Sequence, residues 1–170
     1  MAILKGAVNF NYPDVGATRT LVLPANYRSF RIRTLVGRGP DAMQAATDAI
    51  MEWRMHRAIP VGIDASAPRA APGVDVIVTV AQLIRAPCRI VWTEETEHRA
   101  GWAYGTLAGH PESGEESFVV HRDGADDVWL TVTAFSRPAA WYTRAAGLLV
   151  PYLQRLYARR CGRVLSRLLR

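Results

Sequence analysis

The chain has only two cysteines in 170 residues, Cys88 and Cys161, and no CxxC pair. That spacing excludes a disulfide framework and a cysteine-rich zinc site, and it suits a reducing compartment. Long apolar runs are missing too. No stretch approaches the ~18 consecutive apolar residues of a membrane span, and the apolar run in "MAILKGAVNFNYPDVGATR" is too short for a secretory signal. A cytoplasmic location is therefore expected. Acidic residues are absent from 137–170, a segment with eight arginines. The formal charge of +6 is thus +8 in this tail and −2 in all that precedes it. The basic character is local, so the overall charge makes no case for nucleic acid.

What is present is ordinary globular material, 49% hydrophobic and 21% charged. A single domain spanning 1–170 is expected; at this length it buries about 70% of the surface its unfolded chain exposes. Residues 1–27 read as an irregular arm, with turn signals at Asn11, Pro13, Gly16 and Pro24. "YRSFRIRTLVG" alternates with the period of a half-buried strand. "RGPDAMQAATDAIMEWRMH" reads as a helix, with Pro40 in its first turn and Met43, Ala46, Ile50 and Trp53 on one face. The period then switches to two. "VDVIVTVAQL", "CRIVWTEE", "GWAYGTLAG", "EESFVVHR" and "DVWLTVTAF" form five strand-like runs, and "GIDASAP" before them suits a sixth. Separators include Pro87, the charged "EETEH" and Asp123-Gly124. Connections this short imply an antiparallel meander, since parallel strands need long crossovers. Residues 137–170 read as one basic amphipathic helix, started near Pro138 and kinked or broken at Pro151.

Strand, helix, meander and long terminal helix must share one core, the helix supplying the apolar stripe that the sheet needs. The element order predicts an α+β, helix-grip (START-like) fold, in which a curved antiparallel sheet wraps the C-terminal helix. Birch-pollen-allergen-like proteins share that architecture, and by analogy it encloses a ligand cavity. "NYPDVGAT", "GRG" before a helix ending "WRMH", "YGTLAGHPESGEESF" and "AFSRPAAW" together resemble uncharacterised protein family 0548, over nearly the whole chain. The matching residues are Asn11, Tyr12, Pro13, Gly16, Tyr104, Gly105, Thr106, His110, Pro111, Gly114, Glu115, Phe135, Ser136 and Pro138. The resemblance implies a domain of unknown function and transfers no catalytic role.

The densest chemistry lies in "YGTLAGHPESGEESF". Gly109, Pro111 and Gly114 account for a chain reversal, and the ionisable residues beside them are open to two readings. They decorate a solvated turn, or they stand at a cavity mouth, where His110 with Glu112 or Glu115 could exchange protons with a ligand. His110 and Glu112 form an HxE like that of zinc deaminases, but the PCxxC completing that site is absent. His56, His98 and His121 show no tight ligand spacing, so no metal is expected. "VGRGPDA" imitates a dinucleotide fingerprint, yet Pro40 removes a donor and a meander follows, so no cofactor is expected either.

Alternation places Trp92, Trp102, Tyr104 and Phe118 on one face with Ile90, Val120, Leu130 and Val132. Facing them across the expected hollow stand Trp141 and Tyr152. These six aromatics are the expected ligand-binding set, for a small apolar or aromatic molecule, against the alternative of a fully packed core. Two further alternatives stay open. One is a metal-independent enzyme, cyclase-, hydratase- or hydrolase-like, using His110 and a glutamate. The other is an interaction protein that meets an anionic partner at Arg155, Arg159 and Arg163; nucleic acid is disfavoured because few aromatics interleave those arginines.

Overall fold

The computed structural model describes residues 9–170; the first eight residues of the expected arm lie outside it. Seven strands make one sheet: β1 Arg28–Arg38, β2 Gly62–Ala65, β3 Asp75–Val80, β4 Ile84–Glu95, β5 Arg99–Thr106, β6 Glu112–Arg122 and β7 Asp127–Pro138. All pairings are antiparallel, in the order β1-β7-β6-β5-β4-β3-β2. The consecutive hairpins β2 to β7 form the expected meander, and β1 closes beside β7. Short helices α1 (Ala17–Thr20), α3 (Arg54–Arg57) and α4 (Trp141–Ala145) join two longer ones, α2 (Gly39–Met51) and α5 (Leu149–Leu168). The curved sheet grips α5. It is a helix-grip fold.

Several element bounds differ from the sequence reading, each for a local reason. The run "VDVIVTVAQL" is cut by a reversal at Ala81 and Gln82, both at positive φ (51° and 59°), with no glycine to announce it. Pro87 consequently lies inside β4, opposite Ile77, rather than separating strands. The terminal helix is shorter than expected. Ser136, Arg137 and Pro138 extend β7 by pairing with Gly114, Ser113 and Glu112, and Gly147, at φ 55°, separates α4 from α5. Pro151 then falls in the first turn of α5, where its missing N–H has no partner to lose. The "VGRGPDA" run is simply the joint between β1 and α2.

The core under the sheet's concave face is divided along α5. Its C-terminal half packs tightly: Ala158, Cys161, Gly162 and Leu165 are buried. A side chain at Gly162 would lie 2.5 Å from the Thr34 hydroxyl of β1, so only glycine lets helix and strand come this close. Beside this contact an aromatic cluster fills the space. Trp102 lies 5.1 Å from Trp53 and 4.9 Å from Phe118, ring centre to ring centre, and its indole N–H donates to the Ile50 carbonyl at 3.1 Å. The N-terminal half of α5 makes no such seal, and Leu149, Tyr152, Leu153 and Leu156 remain exposed.

His56 belongs to the filled half. It is fully buried, its ring 5.0 Å from Trp102 and 4.6 Å from Phe118, and neither ring nitrogen has a hydrogen-bond partner among the described residues. Desolvation lowers its pKa to about 3 from 6.5, so the folded protein holds it neutral. Above about pH 6.5 it is neutral folded or unfolded and contributes no pH dependence. Below that the unfolded chain takes up a proton that the folded chain refuses, and stability is lost towards pH 3. Urea titrations should show the natural protein losing about 3 kcal/mol more than His56→Phe between pH 7 and pH 4. Parallel pH profiles would show the ring to be solvated.

Candidate functional site

Strand β6 has a neighbour on each side, β5 and β7, so its side chains alternate between the two faces of a central strand. Glu112, Gly114, Glu116, Phe118 and Val120 point to the concave face; Ser113, Glu115, Ser117 and Val119 point away. The glutamates of the ionisable cluster therefore stand on a strand, with His110 in the turn before it, and alternation splits them into two environments.

On the convex face Glu115 is an anchor. Its carboxylate accepts from the Tyr12 hydroxyl at 2.7 Å, the Gly16 amide at 2.7 Å and the Thr18 amide at 3.1 Å, with the Thr18 hydroxyl as a fourth donor. The same threonine oxygen accepts the Trp92 indole N–H at 3.1 Å. Asn11 extends the strap. Its amide donates to the Glu112 carbonyl at 3.2 Å, its backbone carbonyl accepts from the Ser113 hydroxyl at 2.9 Å, and its side-chain carbonyl accepts from Thr106. Tyr12 and Tyr27 pack edge-on against Phe135, sealing the arm onto the outer surface. The "NYPDVGAT" residues are thus fasteners.

The concave face holds a cavity of about 510 Å³ beneath the open half of α5. Its walls are mostly aliphatic, drawn from β3 and β4 (Val78, Ala86) and from α5 (Val150, Leu153). Val80, Ile84, Leu149 and Leu153 line it and are also exposed, so the mouth opens between the β3–β4 hairpin and the start of α5. Few polar groups interrupt these walls. Glu116 accepts from the Tyr104 hydroxyl at 2.8 Å, and desolvation raises its pKa to about 7. Its partial accessibility is to the cavity, since strands flank it and α5 covers it. The Tyr157 hydroxyl is buried beside the Cys161 thiol and has no oxygen or nitrogen partner among the described residues. Burial pushes both cysteine thiols well up, so neither is a thiolate nucleophile.

At the α4 end, Glu112 is 7% exposed and its Oε1 has no partner among the described residues. Desolvation raises its pKa, opposed by Ser136, Arg28 and Thr143. His110 Nδ1 lies 2.9 Å from both the amide and the carbonyl of Glu112, so it accepts from the amide in one neutral tautomer and donates to the carbonyl in the other. Desolvation lowers its pKa to about 4, against the pull of the Glu112 backbone. Among the described residues no three His, Cys, Asp or Glu side chains converge on a metal position.

Of the expected lining aromatics, only Tyr104 stands in the cavity wall. Trp92 is on the convex face, because a bulge at Val91 inserts one residue between Ile90 and Trp92 and inverts the parity. Trp102 and Phe118 face inward as expected but are fully buried in the packed half. Trp141 and Tyr152 are 78% and 61% exposed; Tyr142 takes the wall position instead. His110 and Glu112 line the cavity, whereas the Glu115 carboxylate is held on the opposite face. Sequence reasoning missed Glu116 and Tyr157. The signal was available for Glu116, which shares parity with Phe118. Arg155, Arg159 and Arg163 are exposed, as a partner surface would require, but so is any solvated helix face.

Residues 11–164 match the family model of a domain of unknown function, DUF1990. The chain belongs to this family. A DUF1990-type relative, a UPF0548 protein of Deinococcus radiodurans, is 32% identical over 171 residues, covering 92% of this chain and 86% of that one. Among solved structures, Ara h 8.0201 superposes with a TM-score of 0.55 at 14% identity, over 85% of this chain and 98% of the other. A Thalictrum norcoclaurine synthase point mutant, in complex with a transition-state analogue, gives 0.55 at 10% identity, over 86% and 97%. At such identities the DUF1990 chain shares their fold and nothing more is shown. No helix among the described residues is long and apolar enough to cross a membrane.

The two adjacent glutamates should respond oppositely to the same change. Glu115→Gln replaces a four-donor carboxylate and should cost about 2–4 kcal/mol in urea unfolding, in the range of lost charged hydrogen bonds. Glu116 has a folded pKa above its unfolded value of about 4.5, so its contribution is fullest in acid and declines as pH rises towards 7. Glu116→Gln should therefore be neutral at pH 4 and stabilising by up to about 3 kcal/mol at pH 8. Equal losses in both variants would refute this division of labour.

Proposed function

We propose that the protein binds one small, largely apolar or aromatic molecule in the cavity between sheet and α5. The supporting observation is the cavity itself: about 510 Å³, apolar walls, an open mouth and a few polar groups at fixed positions. Those are the ordinary size and chemistry of a small-molecule site. The neighbouring fold that holds a transition-state analogue supports the reading by analogy of architecture. A second reading, metal-independent acid–base catalysis, is favoured by Glu116, a carboxyl in the cavity held close to neutrality. In that reading His110 is a polar contact at the α4 end of the cavity and Glu116 is the base, since burial leaves the imidazole only weakly basic.

Nile red, an uncharged apolar fluorophore, tests the leading reading. It should bind one per chain with micromolar affinity. Ala134→Phe, which adds a ring to the cavity wall, should weaken it at least tenfold while leaving the urea midpoint within the spread of the natural protein. Leu153→Arg at the mouth provides a second obstruction should Ala134→Phe unfold. Absence of binding, or binding indifferent to both changes, would eliminate the cavity as a ligand site. Glu116→Gln should retain Nile red under either reading, and would stop turnover only under the second.

A further inference from the structure

We infer that the polar end of this cavity, formed by Glu116 with Tyr104 and Tyr157, recognises a primary ammonium group, so that the ligand is an amine with an apolar or aromatic body. The inference rests on the cavity reading above and specifies its ligand. Glu116 accepts one hydrogen bond, from Tyr104 at 2.8 Å, and takes part in no ion pair among the described residues. A carboxylate offers about four acceptor positions, so most of its capacity is turned to the cavity. The groups that face it are Tyr104 from β5, Cys88 from β4, and Tyr157 and Cys161 from α5, all uncharged near neutrality. The one arginine acting on a cavity carboxyl, Arg28, acts on Glu112. Glu112 lies four strand residues away, about 14 Å along β6.

An apolar cavity with an acid in its wall and no cation beside it discriminates by sign. An ammonium supplies three donors and the missing positive charge, so it satisfies Glu116, reaches the buried Tyr157 oxygen and lies against tyrosine rings. An alcohol supplies one donor and no charge. A carboxylate meets Glu116 and, at the other end, Glu112, and is repelled by both. Burial pulls in the same direction, since Glu116 ionises most readily when a cation arrives with the ligand.

Three probes of equal length separate these cases: 4-phenylbutylamine, 4-phenylbutan-1-ol and 4-phenylbutanoate, each competing with Nile red at pH 8. The amine should bind at least tenfold more tightly than the alcohol, and the carboxylate most weakly. Glu116→Gln should erase the amine's advantage and leave the alcohol's affinity unchanged. Amine affinity should fall severalfold from pH 8 to pH 6 in the natural protein as Glu116 takes up a proton, and stay level in Glu116→Gln. If that variant does not hold Nile red, the pH dependence of the natural protein decides the matter. An amine no tighter than the alcohol, while the alcohol and Nile red both bind, overturns this inference and leaves the cavity reading intact. Failure of Nile red and all three probes overturns both.

Discussion

The arrangement depends on one geometric fact, the alternation of side chains along β6. Neighbouring glutamates on a central strand cannot share an environment. Glu115 is turned outward, where the arm brings four donors to it. Glu116 is turned inward, where a single tyrosine meets it. The first arrangement is a satisfied buried carboxylate that fastens residues 11–18 across the sheet. The second is an under-satisfied acid in an apolar chamber. A slip of one residue in the register of β6 would exchange the two, leaving the arm without its anchor and the chamber with the wrong groups.

Along α5 a second division decides where that chamber is. Gly162 allows helix and β1 to meet closely, and the Trp53–Trp102–Phe118 cluster fills the space next to them. Farther towards its start, the helix stands over small residues, Ala86, Gly114 and Ala134, which leave the volume unfilled. The hollow therefore follows from side-chain size at particular positions. Large rings fill the space beside the close contact at one end, and small side chains at the other leave room beneath the helix.

Much of this was legible in the sequence and some was not. The meander and the grip on a terminal helix follow from a period of two sustained over five runs and then a period near 3.6, signals that survive small errors in strand ends. Trp92 was misplaced because a bulge is a local event that alternation cannot register. The β3–β4 reversal was missed because Ala81 and Gln82 adopt positive φ without any residue that favours it. Helical periodicity over one continuous helix points Trp141 and Tyr152 inward, but they belong to separate helices, α4 and α5, and both are turned outward. For His110 and Glu112 the sequence leaves a solvated turn and a cavity mouth both open, and only the structure sets them in the cavity lining. Glu116 was passed over, although its parity with Phe118 marks it as inward-facing.

The motifs through which the chain resembles its family are accordingly uneven guides to chemistry. Asn11, Tyr12, Gly16 and Glu115 act in the strap, and Phe135 packs beneath it on the convex face. They hold the sheet's outer surface, and their hydrogen bonds are complete. Two residues of the cavity wall on the other face, Glu112 and Tyr157, have a buried oxygen without an oxygen or nitrogen partner among the described residues, and Glu116 lines the same chamber. Buried atoms without a partner also occur in the packed half, at His56, and in the strap, at the Tyr27 hydroxyl, so the deficit is open to a ligand only where it faces the chamber, at Glu112 and Tyr157. A buried acid costs stability in the empty protein; a guest of opposite charge removes that cost and turns it into affinity and selectivity.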